Sequence, residues 1–124
     1  MTEQPEPLLR AVDAVVVRVP SLEAGLAFYH DALGHSQLWR TDTMLGLGFG
    51  DSETELVLAL DTGPETDLLV ESVSDAVARI TGAGGTLVAG PDDIEVGKVA
   101  VVADPFGNRL TLVDLTNGRL RPGA

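Results

Sequence analysis

The chain has 124 residues, which is enough for one domain with a real hydrophobic core. It contains no cysteine, so disulfides, thiolate nucleophiles and cysteine-based zinc sites are excluded. Its 19 acidic and 8 basic residues give a net charge of −11, which would repel nucleic acids and anionic membranes and attract small cations. No apolar run approaches the ~20 residues that a membrane-spanning helix needs.

The first segment, residues 1–11, predicts a disordered lead-in. Two glutamates and two prolines precede any apolar segment. A secretory signal would need a basic start followed by an apolar core. We therefore expect the protein to be cytoplasmic.

The next stretch, residues 12–60, predicts a β-α-β-β-β module. A strand rich in β-branched residues over 12–19 stops at Pro20, and Ser21 is a typical helix N-cap. An apolar residue follows every three or four positions from Leu22 to Leu33, and Gly34 is typical of a helix end. Three further strands are predicted over 35–40, 44–49 and 53–60.

A second module over 65–115 repeats this order. A strand over 68–70 precedes Ser72, which predicts another helix N-cap, and Gly84-Gly85 predicts the helix end. Strands are predicted over 86–89, 96–103 and 109–115, and the polar residues 116–124 predict a tail. The shift of 51 residues from Ser21 to Ser72 recurs from Gly34 to Gly85, which indicates a duplication within a single domain over 12–115.

Two segments carry a family resemblance: Ser-Leu-Glu-Ala-Gly-Leu-Ala-Phe-Tyr-His-Asp-Ala-Leu-Gly at 21–34 and Asp-Pro-Phe-Gly-Asn-Arg-Leu at 104–110. With the paired modules, they resemble the vicinal oxygen chelate superfamily over about residues 12 to 115. That superfamily groups glyoxalase I, extradiol dioxygenases, methylmalonyl-CoA epimerase, and fosfomycin- and bleomycin-resistance proteins. The resemblance implies a glyoxalase-like α+β fold in which the modules form curved half-barrel sheets, often assembled as a homodimer.

The same resemblance implies where a metal would be held. Enzymes of this superfamily bind a divalent cation through His, Glu or Gln on four strands. The matching positions here are Ala14, Val57 (or Ala59, if the strand is shifted by one pleat), Glu65 and Thr111. A catalytic cation needs about three protein ligands, and one carboxylate falls far short. We therefore expect no metal site and no cofactor.

A ligand site without a metal is expected instead. Strand alternation puts Ala14, Val16 and Arg18 on one face. An apolar cavity between the modules would be lined by Ala14, Val16, Val57, Ala59 and Thr111. Arg18 would grip an anionic group of a ligand, pair with Glu65, Asp67 or Glu71, or lie at the rim of the cavity.

Two aromatic residues are candidate walls of that site. Trp39 and Phe49 lie in neighbouring predicted strands and could stack on a planar or cationic ligand. The alternating Gly46, Gly48 and Gly50 would clear space on one strand face for a ligand or a backbone.

These observations predict a metal-free protein of the glyoxalase/bleomycin-resistance type that sequesters a cationic or aromatic small molecule, as in antibiotic resistance. No catalytic residue is assigned in that reading. The alternative is an enzyme, namely a lyase, isomerase or dioxygenase that either holds a metal or uses Glu65 or Asp67 as a general base. A protein-binding module with a closed pocket is a third reading. The fold alone does not decide among them.

Overall fold

A computed structural model describes residues 6–119. Its elements are β1 (Ala11–Arg18), α1 (Leu22–Gly25) continued by a π-helix (Leu26–Ala32), β2 (Gln37–Arg40), β3 (Met44–Gly48), β4 (Glu55–Ala59), β5 (Glu65–Leu69), α2 (Val73–Gly82), β6 (Thr86–Ile94), β7 (Gly97–Ala103) and β8 (Arg109–Val113). The predicted β-α-β-β-β order is present twice, which confirms the glyoxalase-like α+β fold.

Contacts divide the chain into two compact units. The first unit contains residues Val12–Asp67 together with 118–119, and the second contains Leu68–Asn117 together with 6–11. Residues 1–5 of the expected lead-in and 120–124 of the expected tail lie outside the described residues.

The first unit is a mixed sheet in the strand order β2-β3-β4-β1, in which β1 and β4 are parallel. Its helical face buries Leu22 against a core that includes Leu45, Leu47, Leu56 and Leu58. Because side chains alternate along a strand, residues between these leucines belong to the opposite face. We call that opposite face the site face.

The helix of the first unit contains a π-helical segment that the apolar spacing did not predict. Ser21 caps it, since the hydroxyl accepts the Ala24 N–H at 3.0 Å. Gly34, with a positive φ, stands 13 positions after Ser21, whereas Gly84, also with a positive φ, stands 12 positions after the second cap, Ser72. A wider π-turn accommodates one extra residue within a helix. The predicted shift of 51 therefore holds for the caps but not for the helix ends.

The second unit builds an antiparallel sheet in the order β8-β7-β6, and Val70 after β5 donates its N–H to the Val113 carbonyl at 2.9 Å. Its core includes Val73 and Ala76 of α2 with Val102 and Leu112 of the sheet. Strand β6 runs to Ile94, beyond the predicted end at residue 89. Pro91 is tolerated there because its register with β7 is irregular between Ala89 and Asp92.

Candidate functional site

The site face of the first unit carries an apolar floor. We use this name for Ala14, Val16, Val57 and Ala59, which are buried and packed together. The parallel register of β1 and β4 aligns Val16 with Val57 and therefore places the expected residues side by side. Trp39 and Met44 are partly buried and pack against the floor.

Trp39 lies across Gly46 on the neighbouring strand. A methyl group at position 46 would overlap the indole ring, so the glycine is what allows the ring to lie close to the sheet. We predicted that these glycines would clear space for a ligand or a backbone. At Gly46 that prediction was wrong, because the side chain of Trp39 fills the space.

A chain of polar contacts fixes the indole. Its Nε1–H donates to Glu55 Oε1 at 2.8 Å, and Glu55 Oε2 lies 3.7 Å from an Arg119 nitrogen. The same Arg119 nitrogen lies 3.0 Å from Asp13 Oδ1. The side chains of Glu55, Asp13 and Arg119 are only 8%, 13% and 21% exposed. We call these three residues with Trp39 the Arg119 cluster.

Glu65 and Asp67 lie two residues apart on β5 and form a carboxyl pair. Burial, together with a hydrogen bond to Glu65 and the negative charges of Glu65 and Asp13, raises the pKa of Asp67 to about 8. Asp67 Oδ1 is buried without a hydrogen-bond donor among the described residues. Because two carboxyls can share a hydrogen bond only through a proton, Asp67 holds its proton at neutral pH.

The metal positions implied by the resemblance do not fit a cation. Ala14 and Val57 belong to the apolar floor and supply no donor atom. Thr111 lies on β8 of the second unit and is partly buried. Across residues 6–119, no group of three or more His, Asp or Glu side chains is arranged to hold a metal ion. The donor set is therefore one carboxylate, which is too few for a resident catalytic metal.

The structure places Arg18 at the margin of the site face. Register aligns it with Ala59, on the expected face, but it donates to the carbonyls of Leu60 at 3.4 Å and Asp61 at 3.2 Å. Among the described residues its side chain has no ion pair, so the expected pairing with a carboxylate was wrong. Two backbone carbonyls satisfy an exposed guanidinium without one.

Phe49 does not join Trp39. It follows the end of β3, is 38% exposed, and meets the ring of His35 edge-on at a centroid distance of 6.0 Å. Strand alternation explains the separation, because Phe49 follows the parity of Leu45 and Leu47 on the helical face.

Sequence reasoning missed three members of the Arg119 cluster. Glu55 stands two residues before Val57, so alternation alone would have placed it on the site face. Asp13 precedes Ala14 directly on β1, so strand alternation would place it on the opposite face of that strand. Arg119 lies in the segment that we expected to be a tail, and no local pattern signalled its contacts.

Comparisons with known proteins agree with this fold. Residues 11–112 match the profile of the Glyoxalase/Bleomycin resistance protein/Dioxygenase superfamily. The chain is 28% identical to a lactoylglutathione lyase from Neisseria meningitidis serogroup A, with 83% of this chain and 89% of the relative covered. Among the residues described, no helix is long and apolar enough to cross a membrane.

Solved structures are similar at the level of fold. Methylmalonyl-CoA epimerase from Mycobacterium tuberculosis superposes with a TM-score of 0.69 at 17% identity, covering 90% of this chain and 92% of that one. The epimerase from Streptomyces coelicolor gives a TM-score of 0.70 at 16% identity, with 87% and 99% covered. Together with the profile match, these findings show that the chain belongs to the glyoxalase/bleomycin resistance protein/dioxygenase superfamily.

Proposed function

We propose that this protein is a metal-free member of the superfamily that binds a cationic, aromatic small molecule on the site face of the first unit. The observation that carries the proposal is the apolar floor, which occupies two of the positions where metal ligands are expected. Trp39, the buried Glu55 and the partly buried Asp67 take the place of a metal centre there. The floor is buried with Trp39 and Met44 packed against it; once these side chains move aside, it offers apolar contact together with a few oriented polar groups, as small-molecule sites do.

Charge favours a cationic ligand. Asp13 and Glu55 contact the guanidinium of Arg119, and Glu65 adds a carboxyl beside Asp67, which stays neutral through its proton. The net charge of −11 would also steer cations towards the protein. The indole of Trp39 adds a face on which an aromatic cation can stack.

Matched probes test this proposal. Benzamidinium and benzamide have nearly the same shape and differ in charge, so their difference isolates the electrostatic contribution. After EDTA treatment, we expect benzamidinium to change Trp39 fluorescence saturably and to bind about tenfold or more tightly than benzamide. Glu55→Gln should weaken benzamidinium binding, whereas Asp93→Asn, at an exposed carboxylate of the second unit, should leave it unchanged.

Equal binding of the two probes, or no saturation by either, would contradict a cation-binding site.

The proposal that the protein holds no metal is tested by thermal unfolding of EDTA-treated protein with and without Zn²⁺, Ni²⁺, Mn²⁺ or Fe²⁺. We expect no shift in Tm. A resident cation at 1,000 times its Kd would add ~4 kcal/mol, which raises Tm by roughly 10 °C or more at this chain length.

A second function, metal-free proton transfer, is favoured by one observation. A carboxyl whose pKa is about 8 exchanges its proton readily at neutral pH, which suits a general acid or base. Relatives named as a lyase and an epimerase indicate the reaction classes to assay. EDTA-treated protein should then act on lactoylglutathione or methylmalonyl-CoA, and Asp67→Asn should abolish turnover while Asp93→Asn retains it. Absence of turnover on both compounds would rule out this second function and leave ligand binding as the proposed function.

The homodimer that the family resemblance implies remains a prediction.

A further inference from the structure

The side chain of Trp39 covers the apolar floor. Trp39 of β2 is paired with Gly46 of β3, Gly46 with Val57 of β4, and Val57 with Val16 of β1. Paired residues share a face of the sheet, so these four positions form one row across the site face. The indole extends inward along this row and packs against the floor. It therefore occupies the surface that we propose as the ligand site.

The place that the indole occupies has the shape and polarity of a site for a flat ring. Gly46 has no side chain, and a Cβ atom there would overlap the indole, so the ring lies close to the strand backbone. The floor supplies apolar contacts, and Glu55 Oε1 accepts the ring N–H at 2.8 Å. Small-molecule sites select their ligands by this combination of apolar contact and an oriented polar group.

The strand that carries Trp39 can move. Strand β2 has four residues, lies at the end of the strand order, and pairs irregularly with β3 between Gln37 and Trp39. Short edge strands with irregular pairing open more easily than central strands. Trp39 is only partly buried, and Met44, which also covers the floor, has a flexible, unbranched side chain. A ligand can therefore replace the indole without unfolding the sheet.

Such a replacement preserves the surroundings of Glu55. If the incoming ring carries an N–H, one donor replaces another at Oε1, and the other contacts of Glu55 stay as they are. A ring without an N–H would remove a hydrogen bond from a carboxylate whose side chain is 8% exposed, which is costly. The site should therefore discriminate between rings with and without this donor.

We propose that the Trp39 indole is an internal occupant of the ligand site, and that the ligand which displaces it is a flat aromatic compound with an N–H donor. The ligand class rests on the proposed function, because it concerns the same site. Two properties follow, namely that the ligand binds through its N–H and that Trp39 leaves the floor when the ligand binds.

Indole and benzofuran are matched probes, because they have the same shape and oxygen replaces the N–H in benzofuran. Trp39 is the only tryptophan, so the nitrogen-15-labelled full chain has a single indole N–H resonance, and the unlabelled probes add none. Saturating the wild type with indole should move this resonance to the position of exposed tryptophan. Benzofuran should bind about tenfold more weakly, because it lacks the hydrogen bond.

Variants test the displacement from the side of the protein. Trp39→Val removes the internal competitor and should bind indole about tenfold or more tightly than the wild type, measured by calorimetry. Adding Gly46→Ala to this variant should abolish the gain, because the new methyl group fills part of the vacated place. Tyr29→Val removes a partly buried ring from the helical face and should show no preference for indole over benzofuran.

Three results would overturn the proposal: a Trp39 resonance that indole does not move, equal binding of indole and benzofuran, or equal binding of indole by the wild type and Trp39→Val. If Trp39→Val does not fold, the wild-type titration decides by the first two results.

Benzamidinium separates this proposal from the proposed function, since it is flat, aromatic and carries N–H donors. We expect it to move the Trp39 resonance of the wild type. Binding of benzamidinium without this movement would overturn the internal occupant and leave the proposed function standing. Displacement of Trp39 by indole, together with no binding of benzamidinium, would support the internal occupant and contradict the cationic ligand of the proposed function.

Discussion

Each unit contains an aspartate that is at least partly buried, Asp67 in the first unit and Asp114 in the second, and their pKa values shift in opposite directions. In the first unit, burial raises the pKa of Asp67 to about 8, with the carboxylate of Glu65 beside it. In the second unit, burial also raises the pKa of Asp114, but hydrogen bonds from Val73, Lys98 and Thr116 outweigh it and the net pKa is lowered. Asp114 is stabilised as an anion by its donors, whereas Asp67 lacks them.

This difference in pKa indicates that Asp114 is a structural carboxylate and that Asp67 is a candidate functional group. Asp114 Oδ2 accepts the Val73 N–H at 2.9 Å at the start of α2, and Oδ1 accepts the Lys98 N–H at 3.0 Å and the Thr116 hydroxyl at 2.9 Å. It therefore joins the helix to β7 and to the end of the chain's last strand. Asp67 joins nothing in this way and lowers the stability of the fold at neutral pH. A destabilising buried carboxyl is characteristic of a functional site.

The largest expected effect on stability comes from substituting Asp114, the structural aspartate of the second unit. Asp114→Asn replaces one acceptor oxygen with an amide nitrogen that faces an N–H donor, and it removes the charge. We expect a loss of about 3 kcal/mol in the free energy of unfolding, measured by urea denaturation. Asp93→Asn, an exposed aspartate of the same unit, should cost little. A loss at position 114 no larger than at position 93 would contradict the structural role.

Substituting Asp67 in the first unit is expected to have a smaller effect of opposite sign, namely a gain in stability. Below pH 4 Asp67 is protonated in both the folded and unfolded states; between pH 4 and 8 only the unfolded state ionises it, so stability falls as pH rises. Asp67→Asn removes this penalty. We expect a gain of about 2 kcal/mol at pH 8, once partial exposure is allowed for, and no gain at pH 4. A gain that is independent of pH would show that titration is not its cause.

The smallest effect is expected from the serine N-caps, a feature that the two units share. Ser21 and Ser72 cap their helices in the same way, with hydroxyl-to-amide distances of 3.0 and 3.2 Å. Ser21→Ala and Ser72→Ala should each cost about 1 kcal/mol, measured by thermal unfolding. Markedly unequal losses would indicate that the π-helix of the first unit changes the contribution of its cap.

The features that could be predicted from the sequence are those set by local residue patterns. Both serine caps, the repeated element order and the shared face of Ala14 and Val16 follow from spacing and alternation. The π-helix could not be predicted, because an apolar stripe does not show where one residue is added. The extension of β5 back to Glu65 was also missed, since Glu65, Thr66 and Asp67 carry no apolar signal.

The candidate site was predicted only in its apolar part. Val57 and Ala59 came from the position that the family resemblance implies for a metal ligand, but the Arg119 cluster depends on contacts across more than 60 residues of sequence. An ion pair between residues far apart in the chain produces no periodic pattern that could be recognised in a single sequence. The raised pKa of Asp67 could not be inferred either, because it depends on burial and on the proximity of Asp13.

The most direct test of the comparison is a carbon-13 NMR titration of the aspartate side-chain carboxyls, with Asp67→Asn and Asp114→Asn used to assign the two resonances. We predict that Asp67 titrates near pH 8 and that Asp114 titrates below its ordinary value of 3.8 in the same sample. A midpoint for Asp67 near that ordinary value would contradict the account and remove the electrostatic reason for placing the functional site in the first unit.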